Sequence, residues 1–516
     1  MKLRDTIHDC ESHRLAQRVA KLEEKLFAVM ECNAQLKEEN ARLLDENARL
    51  QQQLAAARKD SSTSSKPPSS DIIKPPKPPR KDGKKRKRGG QPGHKQHLRP
   101  IFPPEAVNHF EPYMLDCCPD CGGSLRFAKR PPKVLQQVEI TETPTVVTEH
   151  QGLAYWCPHC QKFHYAALPE AVLKAGLFGP KLTALVAFMK GVCHASFSTI
   201  RKFLRDVACV PISRGYLAKL IAKVSESLAK AYAELFERLP GEAVLNIDET
   251  GHKEYREKFW TWCFRAQLYT LFRIDKSRGS KVLIEVLGTE FNGVLGCDYF
   301  GAYRKYMREF DVLVQFCLAH LIRDVKFLMT LPGREEQSYG KRVRESLREL
   351  FAVIHRRETM TATAFQKAME AAREQVMKAV TTRVPSTNHA KNLAKRFQQH
   401  GEAYFRFITT PGIEPTNNLA EQAIRFVVID RRITQGTRSE TGRRWCERIW
   451  TVIATCAQQG RSVFEFILDS VHAHFGGGSP PSLLPSGHRG RDRCCQRPPA
   501  QIRTCGTTAY GSYLGC

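Results

Sequence analysis

The sequence has no apolar run that approaches the roughly 20 residues needed to span a bilayer. Its first residues, MKLRDTIHDCESHR, also lack the apolar core of a secretory signal peptide. Both absences predict a cytoplasmic protein with no membrane partner. Disulfides are disfavoured in that reducing compartment, so most of the 18 cysteines should be free thiols or metal ligands.

Acidic residues are scarce relative to basic ones. The chain of 516 residues has 53 Asp and Glu against 80 Lys and Arg, a formal net charge of +27. This excess favours a polyanionic partner and disfavours an enzyme for small cationic substrates. The length allows about three or four domains, so a multidomain protein is expected.

A heptad pattern occupies residues 12–57 and predicts a coiled coil. Three successive asparagines at a positions pair best in a parallel, in-register dimer, so the pattern favours a homodimer. The alternative is a lone amphipathic helix packed on its own domain. The d positions are Leu15, Leu22, Val29, Leu36, Leu43 and Leu50, and the a positions are Val19, Leu26, Asn33, Asn40, Asn47 and Leu54.

Residues 58–104 are rich in Ser, Pro, Gly and Lys and have no apolar period, which predicts a disordered basic linker. Between residues 74 and 99 it has eleven Lys or Arg and the single acid Asp82. Such an arm can lie along a phosphate backbone, or it can be a solvated linker. The candidate DNA-binding residues here are Lys84, Lys85, Arg86, Lys87 and Arg88.

Two CxxC pairs within residues 105–170 predict a zinc ribbon with Cys118, Cys121, Cys157 and Cys160 as ligands. The alternation between the pairs predicts a hairpin that brings them together. The spacer of 35 residues exceeds the usual length for such sites, and Cys117 is a substitute ligand. Unrelated free thiols are the alternative.

A helical pattern follows in residues 177–239 and resembles a helix-turn-helix, with Ser198 and Ser213 placed as N-caps. Arg214 and Lys219 on its second helix are DNA-binding candidates. Helical hairpins of this kind are also common as plain packing modules.

From residue 240 the predicted order is three strands, helix, strand, helix, strand and helix, the layout of a ribonuclease-H-like catalytic core. Asp248 and Asp298 are placed where its first and fourth strands end. The first part of the core is residues 240–330, a helical insertion follows over 331–411, and the last part is 412–475. That last part contains a helix with Glu421 and, one turn on, the DNA-binding candidate Arg425.

Three converging carboxylates suit two Mg²⁺ or Mn²⁺ ions, which catalyse in-line displacement at phosphorus. We therefore expect Asp248, Asp298 and Glu421 to be metal ligands and catalytic residues. Taken singly, each acid is explained as well by a strand-end cap or a solvated helix position. Their joint placement favours the site.

The ordered motifs SSTSSKPPSSD, RGGQPGH, NIDETG, GCDYFGAY, CLAHLIRD, PTNNLAEQAIR and TGRRWCERIWTVIATC, with the CxxC pairs, resemble the insertion-sequence-66 family of bacterial transposases over residues 15–470. The resemblance implies a DDE triad of Asp248, Asp298 and Glu421 acting on the element's own DNA ends near the nucleoid. It also implies accessory proteins of the same element. Two departures are DRRIT, where the family usually has a Lys-Asn pair, and the irregular residues 476–516, which resemble translation beyond a frameshift.

The leading hypothesis is therefore a dimeric, metal-dependent DDE transposase that cuts DNA and transfers strands, with a multidomain α/β fold. One alternative is a DNA-binding regulator whose core is only a scaffold. Another is a catalytically impaired relic that still binds element ends.

Overall fold

The computed structural model describes residues 2–57, 102–107, 109–110, 120–121, 124, 136–137, 144–157, 159 and 162–484. The described chain is a mixed α/β protein that is mostly helical and divides into two compact units. One unit contains residues 77–168 and 198–214, and the other contains the rest.

The helices are α1 (Lys2–Ala57), α2 (Glu170–Ala175), α3 (Pro180–Gly191), α4 (Phe197–Asp206), α5 (Arg214–Ser227), α6 (Ala229–Arg238), α7 (Ser280–Leu287), α8 (Gly301–Phe310), α9 (Leu318–Leu328), α10 (Arg334–His355), α11 (Ala362–Thr381), α12 (Asn388–His400), α13 (Arg406–Thr409), α14 (Asn418–Thr434), α15 (Glu440–Gln459) and α16 (Val463–Gly476). The strands are β1 (Ala154–Cys157), β2 (Lys162–Tyr165), β3 (Val244–Glu254), β4 (Glu257–Arg265), β5 (Thr270–Asp275), β6 (Val294–Cys297) and β7 (Leu313–Phe316).

Helix α1 covers the whole predicted coiled-coil segment without a break. Its apolar heptad positions are exposed, with Leu22 at 64% and Leu36 at 54% of their full accessibility. From Leu15 to Ala57 every side chain except the half-buried Ala55 is exposed, so this helix does not pack on its own domain.

The cysteine region contains one short antiparallel hairpin, β1–β2, in which Trp156 faces Phe163. Of the stretch predicted as a hairpin between the two CxxC pairs, residues 136–137 and 144–153 have no strand and residues 154–156 are part of β1. Its other residues lie outside the described part of the chain, so the hairpin stays a prediction. In β1, the aromatic run AYW pairs with residues of the run KFHY. Three of the expected zinc ligands, Cys118, Cys160 and the side chain of Cys157, lie outside the described residues, as do Lys84, Lys85, Arg86, Lys87 and Arg88.

The expected helices of residues 177–239 form, with two corrections. Helix α4 begins at Phe197, so Ser198 lies inside it and is not its N-cap. The long helix expected after Ser213 is divided at Leu228 into α5 and α6. Helices α4 and α5, the two expected to form a helix-turn-helix, belong mainly to different compact units.

The segment Glu170–Gly191 is long and apolar enough to cross a membrane by length and composition, which the sequence analysis did not expect. It forms two helices, α2 and α3, separated by residues 176–179, where Gly176 has a φ of +74°. Helix α3 packs against α16, and its Val186 is fully buried. A position in a packed core accounts for the apolar composition.

The central sheet has the strand order β5-β4-β3-β6-β7. The β5–β4 and β4–β3 pairs are antiparallel, whereas β3–β6 and β6–β7 are parallel. The two parallel strands are short and fully or largely buried, as expected for strands covered on both faces. The strand and helix order predicted for residues 240–330 is confirmed.

Strand β3 continues well past Asp248, so the expectation that this strand ends there is wrong. Residues 247–254 pair with β4 as far as Glu254 opposite Glu257, although the parallel pairing with β6 stops at Asn246. The cross-strand partners in β4 stabilise this polar half of the strand.

Helix α15 covers the free edge of β5 with polar side chains spaced four residues apart. The backbone amides of Thr270, Phe272 and Ile274 donate to Thr455, Thr451 and Glu447 at 3.2, 3.0 and 2.8 Å. The edge of the sheet is therefore satisfied by side chains in place of another strand.

Residues 331–411 contain α10 to α13, short 3-10 turns and no strand. Helix α10 packs against both α9 and α11. The last helix, α16, ends at Gly476, and residues 477–484 are neither helix nor strand. The rest of the unusual tail lies outside the described residues.

Candidate active site

Strand register brings two of the predicted acids together. In the parallel ladder, each β3 residue faces the β6 residue 50 positions later, and the ladder ends with Asn246 opposite Gly296. Asp248 lies two residues beyond the last pair on β3, and Asp298 lies two residues beyond it after β6, so both acids are at the same end of the two strands. Gly296 is required because a Cβ there would lie 2.5 Å from Nδ2 of Asn246.

Asn417 fixes the start of α14 against the same strand. Its Oδ1 accepts from Nδ2 of Asn246 at 3.0 Å, and its Nδ2 donates to the carbonyl of Ile247 at 2.7 Å. Its backbone amide donates to Sγ of Cys317 at 3.1 Å. Glu421 donates its own amide to the carbonyl of Asn417, so it lies one helical turn from an anchor adjacent to Asp248.

The electrostatics also place the three acids in one neighbourhood. Burial raises the pKa of Asp248 well above its ordinary value, and the charges of Glu249, Asp298 and Glu421 raise it further. Burial and then Glu249 raise the pKa of Asp298 to about 7. Among the described residues neither aspartate forms an ion pair, and their hydrogen-bond donors are the backbone amides of Glu249 and Phe300.

Glu249 is a fourth acid of this cluster that the sequence analysis missed. Its side chain is only 2% exposed, accepts from Nε and Nη2 of Arg278 at 3.0 and 2.8 Å, and accepts from the hydroxyl of Tyr303. The guanidinium of Arg278 lies 4.4 Å from the ring centre of Trp260 and 4.0 Å from that of Phe300. The carboxylate of Glu249 is therefore paired with a guanidinium and held in place, whereas the adjacent Asp248 has no ion-pair partner among the described residues.

Glu421 is contacted from α9 by Arg323 and His320. Nη2 of Arg323 lies 3.3 Å from Oε2 of Glu421, and Nδ1 of His320 lies 3.6 Å from its Oε1. Strand β7 stops at Phe316, and His320 is in the first turn of α9. The motif CLAHLIRD, with His and Arg three positions apart on one helix face, was the signal available.

The residues of this cluster fit a hard divalent cation. Asp248 and Asp298 are buried carboxyls that offer oxygen ligands and form no ion pair among the described residues, the ligand chemistry that suits Mg²⁺ or Mn²⁺. Ligand atoms of Cys317, His320 and Glu421 also lie within 4.8 Å of one another. Burial and then Glu421 raise the pKa of the Cys317 thiol to about 11, so it is protonated at neutral pH and disfavours a thiolate site.

Four of the other predicted residues are described, and all four are exposed. They are Arg214, Lys219, Arg425 and Cys121, of which Arg425 shares helix α14 with Glu421. The structure thus brings together Asp248, Asp298 and Glu421.

Comparison with protein families matches residues 175–444, more than half of the chain, to the model of Transposase IS66 family. The chain belongs to the IS66 transposase family. The matched range contains all three clustered acids and the residues that hold them. Membership supports a transposase role, that is, an enzyme that acts on DNA with divalent metal.

Two further family models match the chain before the transposase domain. Residues 116–161 match the zinc-finger binding domain of transposase IS66, which supports zinc binding by the CxxC region. Residues 8–100 match a family of unknown function. Comparison with curated proteins gives no significant match.

Proposed function

We propose that this IS66-family protein is a DDE transposase with a ribonuclease-H-like core and that Asp248, Asp298 and Glu421 are its catalytic carboxylates. The observation that supports the proposal is the parallel pairing of β3 with β6, because Asp248 and Asp298 both follow the end of that pairing and α14 is anchored to Ile247. The sheet order, three antiparallel strands followed by two parallel ones, supports the core assignment.

In this proposal Asp248, Asp298 and Glu421 would hold Mg²⁺ or Mn²⁺. Such a cation would supply activation of a water or a DNA 3′-hydroxyl as the nucleophile and stabilisation of the leaving oxygen. Asp248 lies on β3 and Asp298 directly follows β6, the neighbouring strand, which limits the movement of one acid relative to the other. Arg323 orients the carboxylate of Glu421, while Arg278 keeps Glu249 from competing as a ligand.

The other modules support binding of element ends. Zinc held by Cys118, Cys121, Cys157 and Cys160 would stabilise the small β1–β2 region, which otherwise has little core. The exposed apolar seam of α1 supports a parallel homodimer, since 50% of Leu54 and 64% of Leu15 lie uncovered. Accessory proteins remain part of the proposal by resemblance to the family.

The test is a strand-transfer assay with labelled element ends and Mg²⁺. Asp248→Asn and Glu421→Gln should lower joining by at least about 1,000-fold and leave DNA binding near the native level. Asp469→Asn, an exposed acid on α16, is the matched control. Unchanged joining in both variants would favour the DNA-binding regulator.

The impaired relic is tested separately by comparing the full chain with a chain that ends at Gly478. If the full chain joins DNA, the tail does not abolish activity. If only the shortened chain is active, the relic hypothesis holds for this copy and the site assignment stands.

A further inference from the structure

Helix α14 continues for more than three turns beyond Glu421 and has one exposed face. The side chains of Arg425, Ile429, Arg432 and Ile433 are exposed there, and Ile429 and Ile433 retain 51% and 55% of their accessibility. The opposite face packs against β3 and β4 and buries Val427. We call the four exposed residues the α14 face.

The two arginines of this face lie on nearly the same side of α14 as Glu421, the candidate catalytic carboxylate. At 3.6 residues per turn, Arg425 and Arg432 project only about 40° and 20° away from Glu421 around the helix axis. They lie about 6 and 16 Å from it along that axis. Neither arginine forms an ion pair among the described residues, whereas Glu421 is paired with Arg323.

The far end of the α14 face meets the tip of the β3–β4 hairpin. Helix α14 ends at Thr434 and is capped by Gln435. Gly436, with a φ of +86°, then passes so close to Lys253 that a Cβ on Gly436 would lie 2.1 Å from the carbonyl oxygen of Lys253. The amide of Tyr255 then donates to the carbonyl of Thr437 at 2.8 Å. This contact holds the tip in a fixed position next to the helix.

The hairpin tip exposes an aromatic ring and, like the α14 face, an arginine. Tyr255 is 60% exposed and has a φ of +52°, a conformation in which a bulky side chain is strained. The guanidinium of Arg256 lies 5.6 Å from the centre of its ring. An exposed aromatic ring with a cation beside it is suited to a sugar or base edge and a phosphate.

We propose that the α14 face and the hairpin tip form a binding track for the DNA that flanks the cleaved bond. Charge complementarity selects this occupant, because unpaired arginines adjoin a site that must receive a phosphodiester. Phosphates of one strand rise about 3.4 Å each along a duplex, so Arg425 meets about the second phosphate from the cleaved bond and Arg432 about the fifth. The inference rests on the proposed function.

The first test is the salt dependence of binding to a fluorescein-labelled duplex of the element end, with the full-length protein and no added divalent metal. Arg425→Gln and Arg432→Gln should each reduce the slope of log K against log salt by about 0.9. Arg348→Gln, an exposed arginine on α10, should leave the slope within error of the native value.

The second test places the contacts by single methylphosphonate substitutions, which remove one phosphate charge at a time. The native protein should lose affinity for substitutions near the second and fifth phosphates. Arg425→Gln should lose the nearer sensitivity alone, and Arg432→Gln the farther one alone.

Slopes no different from that of Arg348→Gln would overturn the proposal. The proposal would also be overturned if Ile433→Asp kept the native salt slope but no longer self-associated. The α14 face would then bind a second copy of the protein and not DNA. Both readouts report binding and not chemistry. A reduced slope together with joining that Asp248→Asn and Glu421→Gln leave unchanged therefore refutes the catalytic assignment alone. Normal slopes together with joining that both variants abolish refute the track alone.

Discussion

Replacing Asp298 by Asn should stabilise the fold while abolishing joining activity. Burial and the neighbouring Glu249 raise the pKa of Asp298 from an ordinary 3.8 to about 7. Each pKa unit corresponds to about 1.4 kcal/mol, so ionised Asp298 costs the metal-free fold about 4 kcal/mol. The amide removes the charge and keeps the oxygen that accepts from Phe300.

The direction of the pH dependence of stability follows from proton binding. The folded state binds the proton more tightly than the unfolded state, so the penalty is full above pH 7 and disappears as pH falls towards 4. At pH 8 we expect the free energy of unfolding of Asp298→Asn to exceed that of the native protein by at least about 2 kcal/mol. This difference corresponds to an increase of about 4 °C or more in melting temperature. At pH 4 the two proteins should melt together.

Thermal unfolding monitored by tryptophan fluorescence suits this measurement, because four of the five tryptophans lie in the domain concerned: Trp260, Trp262, Trp445 and Trp450. The buffer should contain no Mg²⁺ or Mn²⁺ and should leave zinc in place. Asp469→Asn is the control, and added Mg²⁺ should stabilise the native protein more than Asp298→Asn. If Asp298→Asn is no more stable than the native protein at pH 8, our account of a crowded, uncompensated carboxyl is wrong.

Two other substitutions test how Glu421 is placed. Arg323→Ala should lower joining by about 10- to 100-fold, since a charge-assisted hydrogen bond contributes about 1.5–3 kcal/mol. Arg323→Lys should restore part of the activity, and equal rates for Ala, Lys and the native residue would exclude the orienting role. Asn417→Ala should lower the free energy of unfolding by about 2–4 kcal/mol because it leaves buried partners of β3 without hydrogen bonds. The exposed Asn388→Ala is its control in urea denaturation, and a matching midpoint for the two variants would contradict the anchor.

The sequence predicted the core best where local pattern decides structure. The strands before Asp298 and the helix after Asn417 follow from apolar runs and turn residues close in the chain. The continuation of β3 to Glu254 was missed because its polar residues depend on pairing with β4. Alternation of polar and apolar residues cannot reveal a partner strand.

The contacts of the site were harder to predict than its acids. Arg323 meets Glu421 across 98 residues of sequence, and Arg278 meets Glu249 across 29. No local rule places such side chains, because the helical segment between α9 and α14 decides where the two helices meet.

The polar side chains of α15 that accept hydrogen bonds from β5 limit how the central sheet can pair with another molecule. Their three hydroxyl and carboxylate acceptors occupy the amides that a strand from another molecule would need. At the opposite edge, Gln315 of β7 is engaged by the carbonyl of Tyr404 and the amide of Phe407. The sheet is thus closed to extension at β5 and obstructed at β7, which protects it from edge-to-edge aggregation.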